Sequence, residues 1–523
     1  MDRGRDAQFV RIDIGVGKEC LKGQERVHGS SMQIHWHCSR YPIRAILDRM
    51  DASILPTGLI SGSSGPLYQR LAEGLRGAVR RGEVGAGSKL PSERVLARRL
   101  GVSRTTVISA YRLLRDEGLL ESARGSGTRV VASSHRIGPA VPAATMPSVK
   151  LTGELAAGVV DLSGSLVVGP EAVPHLAPDP IDLRELATDL GYQPLGLPSL
   201  RARIAARYTG LGLPTTADEV LVTSGAQQAI SLLFTLFGRD GGVIATENPT
   251  YAGALDAARA AGATLLALPT DSEGIKVRPL RETLARSSVS LLYVMTTCQN
   301  PTGTVMSTQR RTEIARLAEH AGVPVVDDTT LADLVFEGRW HPLPPAASGV
   351  VVGSLSKLFW PGLRIGWLRA PRTLMTRLAR LKVVADLGSS HVGQQLAARL
   401  LPVSGDMATA RRGQLTARLD LMSDLLRSRL PTWSWIRPSG GPFLWVRLPY
   451  GDGESFAQLA LTHGVQVLPG SRTSSDRSFA DHLRLSFVAE PADLRIAVHR
   501  LAEAWAAFES LHDSGRLPFD IAV

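Results

Sequence analysis

Cysteine is scarce in this chain. Its 523 residues include three, Cys20, Cys38 and Cys298. The number is odd and no pair has CxxC spacing, so neither a disulfide framework nor a zinc site is indicated. A reducing compartment fits, and a cytoplasmic protein is expected. Long apolar runs are missing too. No uninterrupted stretch would span a bilayer, so no membrane partner is expected. Behind Arg3, Arg5 and Asp6 there is no apolar core of the kind a secretory signal needs. Hydrophobic residues still make up 44% of the chain. That supports a large core, and the length suggests two or three domains.

Residues 1 to about 61 lack clear periodicity. His35, His37 and Cys38 lie close in sequence, but their spacing matches no metal-ligand template. This segment is expected to be an extension upstream of the native start, with translation beginning at Met32 or Met50. An intact mass matching Met1 would refute that. Gly58 to Gly65 reads as a flexible lead-in.

Charge is plentiful but uneven. The net charge is +11, and residues 67–131 hold 13 Lys/Arg against 6 Asp/Glu, a balance of +7. Localised basic charge points to a polyanion, and nucleic acid is the usual one. From Pro66 the pattern sharpens. Leu67, Leu71, Leu75 and Val79 recur at helical spacing. Ser92 is placed to cap a second helix, with Val95, Leu96 and Leu100 turned inward. After Gly101, Ser103 caps a third helix to about Glu117, with Val107, Tyr111 and Leu114 inward. Two helices joined by a tight turn form a helix-turn-helix. Ser103, Arg104, Thr105 and Thr106 open its second helix, where such motifs meet bases and phosphates. Gly118–Ser122 and Thr128–Val131 read as two strands, and the turn between them carries Arg124. This stretch resembles the winged helix-turn-helix of GntR-type regulators, through the LPSER run (Leu90 to Arg94), the SRTTV run (Ser103 to Val107), the EGLL run (Glu117 to Leu120) and the glycine-rich wing. The resemblance implies double-stranded DNA as a partner. The DNA-contacting set it implies is Arg94, Ser103, Arg104, Thr105, Thr106 and Arg124. The winged domain is placed at 62–132 and a Pro/Ala/Ser/Thr-rich linker at 133–158.

From 159 to 515, apolar strand-like runs alternate with helical ones. That pattern implies an α/β domain with a mainly parallel sheet covered on both faces. Sites in such folds collect at the carboxyl ends of the strands. Five polar clusters fall there. They are Ser224-Gly225-Ala226-Gln227, Glu247 to Tyr251, Gln299-Asn300-Pro301-Thr302-Gly303, Asp327-Asp328, and Gly353 to Trp367. The last holds Lys357 between Ser354 and Ser356, with Arg364 seven residues on. Hydroxyls and a guanidinium suit a phosphate, and the lysine suits a Schiff base. A surface lysine at a strand end is the plain alternative for that stretch alone. Farther along, Arg484 lies on a strand of a smaller C-terminal subdomain.

The order of these clusters resembles the fold-type-I pyridoxal phosphate enzymes of the aspartate aminotransferase class. The resemblance covers about residues 160–510. It implies pyridoxal 5'-phosphate as cofactor, with Lys357 forming the internal aldimine and Asp328 pairing with the ring nitrogen. Strand alternation sets whether Asp327 or Asp328 faces the ring, and Asp328 is expected to face it. It implies that Asn300 bonds the ring's 3′-oxygen, that Tyr251 stacks on the ring, and that Gly225, Ala226, Ser354 and Arg364 hold the phosphate. Arg484 would bind the carboxylate of an amino acid or amine effector. Tyr192 matches a tyrosine that reaches a neighbouring subunit, which implies a homodimer. One departure stands out: Thr330 occupies the place of the family's usual tyrosine, which puts transamination in doubt. A GntR-like head on an aminotransferase-like body is the arrangement of MocR-type regulators. That implies a regulator sensing the cofactor or an amino compound through Lys357. The alternative is an active class I/II aminotransferase with a fused DNA-binding domain. Retention of Lys357, Asp328, Asn300 and Arg364 argues against a cofactor-free regulator.

Overall fold

The structure, a computed structural model, describes residues 66–80, 84, 88–117, 119–123, 127–130, 158–164, 191–344 and 349–513, together with four short strands before them. Those strands form two antiparallel hairpins: β1 (Ile14–Val16) with β2 (Glu19–Leu21), and β3 (Gln24–His28) with β4 (Ser31–His35). His37, Cys38 and Arg124 lie outside the described residues. The chain divides into two compact units, Met1–Ala140 with Ala522–Val523, and Val141–Ile521.

Among the described residues, the first unit contains three helices: α1 (Leu67–Arg80), α2 (Glu93–Leu100) and α3 (Arg104–Asp116). A hairpin follows, β5 (Leu120–Ala123) with β6 (Gly127–Val130). Leu71, Leu75, Leu96, Val107, Tyr111 and Leu114 bury together, as helical periodicity requires. Two expectations need correcting. Val95 is 43% exposed, and Ala97 takes the inward position instead. In a helix this short the apolar stripe is narrow, and Val95 falls off its edge. Ser92 occupies the N-cap but makes no side-chain capping bond. Ser103 does cap, its Oγ accepting from Thr106 N at 3.0 Å. Gly101 (φ 64°) supplies the left-handed residue that turns α2 into α3.

Tyr111 ties the helix-turn-helix together. Its buried hydroxyl donates to Pro91 O at 2.8 Å, and burial raises its pKa well above the usual value. Tyr111→Phe leaves that carbonyl without its partner. The expected cost is about 1–2 kcal/mol, read by denaturant unfolding of the head.

The second unit is built on an eight-stranded sheet. Its strands are β8 (Val220–Thr223), β9 (Val243–Asn248), β10 (Thr264–Asp271), β11 (Gly274–Ile275), β12 (Val289–Val294), β13 (Val325–Asp328), β14 (Val350–Ser354) and β15 (Gly366–Arg369). The spatial order is β11-β10-β9-β12-β13-β14-β15-β8. The strands from β10 to β14 run parallel, while β15 is antiparallel to both its neighbours. Five strands, β8, β11, β13, β14 and β15, are buried at every residue. The continuous apolar runs Val220–Val222 and Val350–Val352 fit a sheet covered on both faces. The covering helices are α4 (Pro198–Gly210), α5 (Ala226–Gly238), α6 (Ala252–Ala260), α7 (Val277–Arg286), α8 (Thr308–His320) and α9 (Arg372–Asp386).

Helices α10 (His391–Leu400) and α11 (Ser404–Arg429) lead into the C-terminal subdomain. There β16 (Ser434–Trp435), β17 (Phe443–Arg447), β19 (Leu468–Pro469) and β20 (His482–Ser486) form a sheet ordered β16-β17-β20-β19. Between them lie α12 (Gly453–Thr462) and β18 (Val465–Gln466), and α13 (Pro491–Asp513) closes the subdomain. β18 pairs in parallel with β7 (Val160–Asp161), so the chain entering the unit is anchored to its far end. Thr250 N donates to Thr473 O at 2.7 Å, joining the subdomain to the end of β9. No helix among the described residues is long and apolar enough to cross a membrane.

Candidate functional site

The five polar clusters all lie at carboxyl ends of strands in the large sheet. Gly225 (φ 92°) is the N-cap of α5, so the first N–H groups of that helix are open. Arg364, itself left-handed (φ 53°), donates through Nη2 to Ser224 O at 2.7 Å. A Cβ on Gly225 would stand 3.1 Å from Arg364 Nη2, and one on Gly366 2.6 Å from the Gly225 carbonyl carbon. Glycine is therefore required where these segments meet. Ser354 is buried at the end of β14, and its Oγ lies 2.9 Å from Ser356 Oγ and 3.1 Å from Ile365 O. The result is a cradle of helix N–H groups, hydroxyls and a guanidinium, a donor set matched to a phosphate.

Lys357 follows this cradle and is half-buried. Burial, reinforced by Arg484 and Arg364, lowers its pKa to about 8, against the pull of Asp328. A sizeable fraction of the amine is therefore unprotonated near neutrality, as a nucleophile requires.

The acidic pair divides its neighbours. Asp327 accepts from Thr296 Oγ1 at 2.9 Å and Leu343 N at 3.1 Å, and it faces Arg311. Asp328 accepts from Tyr293 OH at 2.6 Å and Thr330 N at 3.0 Å, and it is the carboxylate that interacts with Lys357. Burial raises the pKa of both.

Arg484 on β20 is 4% exposed. Nη1 donates to Asn300 Oδ1 at 2.9 Å and Nη2 to Ser163 O, and the guanidinium lies 4.0 Å from the Phe443 ring centroid. Both hydrogen bonds go to neutral oxygens, and Nε has no partner. Burial lowers its pKa to about 10. A buried cation held by neutral acceptors and a ring face is poised for an anion from outside. Tyr251 OH donates to Gln227 Oε1 at 3.0 Å, and burial raises its pKa to about 12. Lys357, Asp328, Asn300, Tyr251, Arg484 and the Gly225–Ala226 cradle are thus connected. Tyr192 stands apart, 68% exposed.

The sequence assigns no role to Tyr293, and none to Glu247 beyond its place in the second polar cluster. Tyr293 looked like one more apolar residue of a strand, yet it is the donor to Asp328. Glu247 is fully buried, with Oε2 accepting from Met295 N at 2.9 Å and Oε1 without a partner. Burial raises its pKa from 4.5 to about 8. Across that window the folded chain holds a proton that the unfolded chain has released. The associated stability is complete below 4.5 and is lost as pH rises through about 8, at up to about 1.4 kcal/mol per pH unit. Glu247→Gln is expected to remove that slope, as read from denaturant midpoints at the two ends of the window.

In the head, Arg94 and Arg104 are exposed, and Thr105 and Thr106 are half-buried. The Ser103 hydroxyl is engaged with those of Thr105 (2.7 Å) and Thr106 (2.8 Å).

A mixed sheet with a phosphate cradle, a lysine and a buried acid at its carboxyl edge defines the class I and II aminotransferase domain, and that family matches residues 154–501. Bacterial regulatory proteins of the gntR family match residues 67–130. The chain is 33% identical to the uncharacterized HTH-type transcriptional regulator YisV of Bacillus subtilis (strain 168), over 84% of this chain and 96% of that one. It is 30% identical to the probable rhizopine catabolism regulatory protein MocR of Rhizobium meliloti, over 87% and 97%. Among solved structures, LysN, an α-aminoadipate aminotransferase from Thermus thermophilus complexed with N-(5'-phosphopyridoxyl)-L-leucine, aligns with a TM-score of 0.64. It is 28% identical and covers 71% of this chain and 96% of its own. The chain belongs to the MocR-type, gntR-family transcription regulators, which join a helix-turn-helix to an aminotransferase-like domain.

Proposed function

We propose that this regulator binds pyridoxal 5'-phosphate at Lys357 and reports the cofactor, or an amino compound that reacts with it, to DNA. Arg484 carries the reading: a buried guanidinium, hydrogen-bonded only to neutral oxygens, lies near enough to Lys357 to help lower its pKa. The donors of the cradle fit the cofactor's phosphate, and the close packing at Gly225 and Gly366 keeps side chains out of that space. When bound, the cofactor supplies a carbonyl that condenses with amines and a ring that withdraws electrons.

The chain's own residues do the rest. Gly225, Ala226, Ser354 and Arg364 hold the phosphate. The neutral fraction of the Lys357 amine grows as pH rises toward 8, and cofactor loading is expected to quicken with it. Asp328, oriented by Tyr293 and the Thr330 amide, would pair with the ring nitrogen. Asn300, which accepts from Arg484, would bond the ring's 3′-oxygen, and Tyr251 would stack on the ring. Arg484 takes the carboxylate of an amino acid effector as a charge-assisted pair. Tyr192 projects toward a second copy of the chain. The nearby segment supports that homodimer. Gly388 packs on the Gln193 backbone, and Val384, Leu387 and Val392 around it are exposed. Residues 62–132 form the DNA-binding head, with Arg94, Ser103, Arg104, Thr105 and Thr106 contacting bases and phosphates and Arg124 contacting the phosphate backbone or minor groove. Residues 133–158 are the linker.

Borohydride treatment of protein incubated with pyridoxal phosphate tests the site. The expected result is a stable phosphopyridoxyl adduct on the peptide carrying Lys357. An unmodified peptide would overturn the reading.

A further inference from the structure

Lys382, on α9, has a fully buried side chain that the site described above does not use. Nζ lies 2.5 and 2.7 Å from the two carboxylate oxygens of Asp386 and 3.1 Å from Ser389 Oγ. Asp386 is a hub. It accepts from Gln228 Nε2 at 2.8 Å, from Ser224 Oγ at 3.3 Å and from Gly388 N at 3.1 Å. Gln228 in turn accepts from Ser224 N at 2.8 Å through Oε1. Ser224 is thus held at its amide and its hydroxyl, while its carbonyl receives Arg364. The residue immediately before the Gly225 cap is therefore set by Asp386, directly and through Gln228.

The arrangement contains an electrostatic conflict. Backbone N–H groups at the start of α5 favour an anion. A carboxylate directly behind them repels one. Asp386 has the geometry to accept from both Ser224 and Gln228, and its charge is tolerable there only if cancelled. Lys382 cancels it, out of contact with solvent.

We infer that Lys382 and Asp386 are a pair of positioning residues for a phosphate-bearing ligand: Asp386 fixes Ser224 and Gln228 behind the cradle, and Lys382 neutralises the charge that this requires. The inference rests on the pyridoxal phosphate reading above and assigns the pair a role in discriminating phosphorylated from unphosphorylated cofactor. It follows that the two single variants act with opposite sign. Lys382→Met leaves an uncompensated carboxylate behind the cradle and weakens the phosphate ligand. Asp386→Asn leaves a cation there and does not.

The test compares affinities of the full-length protein for pyridoxal phosphate and for pyridoxal, read by visible absorbance. In Lys382→Met the ratio of the two affinities is expected to fall about tenfold or more, the order of one unit charge acting near an anion in a partly buried site. Pyridoxal affinity is expected to stay near that of the wild type. The double variant Lys382→Met/Asp386→Asn is expected to recover most of the ratio, and Asp386→Asn alone to match or exceed the wild type. Should Lys382→Met fail to fold, the other two variants still decide. A lower ratio in Asp386→Asn, or a double variant with no preference for the phosphate, overturns the inference. So does an equal loss for both ligands in all variants, the mark of a merely structural pair. Wild-type protein that binds neither ligand overturns the cofactor reading itself, and this inference with it.

Discussion

Lys357→Ala is expected to stay colourless when pyridoxal phosphate is added, and its DNA binding is expected to ignore the cofactor. Lys357 lies between the phosphate cradle after β14 and the Asp328 carboxylate, and burial has lowered its pKa to about 8. Among the described residues, it is the lysine that interacts with that acid. Lys382, the other lysine of this unit that bears on the cradle, is locked in its ion pair. Removing the Lys357 amine therefore removes the covalent anchor and leaves only the phosphate contacts. Absorbance on addition of cofactor reads the first effect, and the affinity of the variant for its operator with and without cofactor reads the second. A variant as yellow as the wild type would move the anchor elsewhere.

Arg484→Leu carries the second large effect. The guanidinium is buried against Phe443 and bonded only to the neutral oxygens of Asn300 and Ser163. Truncating one partner of a buried, hydrogen-bonded charge pair typically costs about 2–5 kcal/mol, or roughly thirtyfold to several thousandfold in affinity. The loss is expected for amino acids and not for amines that lack a carboxylate. Spectral titration of cofactor-loaded wild type and variant with an amino acid and its decarboxylated analogue measures the difference. Equal losses for both ligands would remove Arg484 from carboxylate recognition.

Much of this was legible in the sequence where one residue's role is set by its immediate neighbours. The helical stripe of Leu71, Leu75, Val107, Tyr111 and Leu114 is a local pattern, and it buries as read. The apolar runs that became β8, β12 and β14 are likewise local, because a sheet covered on both faces leaves no polar alternation to misread. What escaped depends on pairing between distant segments. Tyr293 sits in a run of strand residues, and only the parallel pairing of β12 with β13 sets its hydroxyl beside Asp328. Lys382 and Asp386, four apart on a helix, have the spacing of an ordinary surface ion pair. Packing of α9 beneath the start of α5 buries the lysine and turns the aspartate toward Ser224. Glu247 follows buried strand residues, and nothing local shows that one of its oxygens is left without a donor. Val95 failed for a different reason: a helix of eight residues gives too few turns for the apolar stripe to be unambiguous.

Thr330 bears on what the site is for. Its amide holds Asp328, and a tyrosine is the family's usual residue at that position. The carboxylate proposed as the ring-nitrogen partner is thereby held while the larger side chain is absent. That combination suits a site retained for binding.

The most direct test is the affinity of the protein for a duplex from its own gene's upstream region, at one fixed salt concentration, because phosphate contacts make such affinities salt-dependent. Cofactor-free protein, protein loaded with pyridoxal phosphate, and loaded protein with an amino acid added are compared, alongside Lys357→Ala. A regulator of the kind described here changes its affinity or footprint on loading or on addition of the amino acid, and the variant does not. Identical binding in every wild-type state would contradict it.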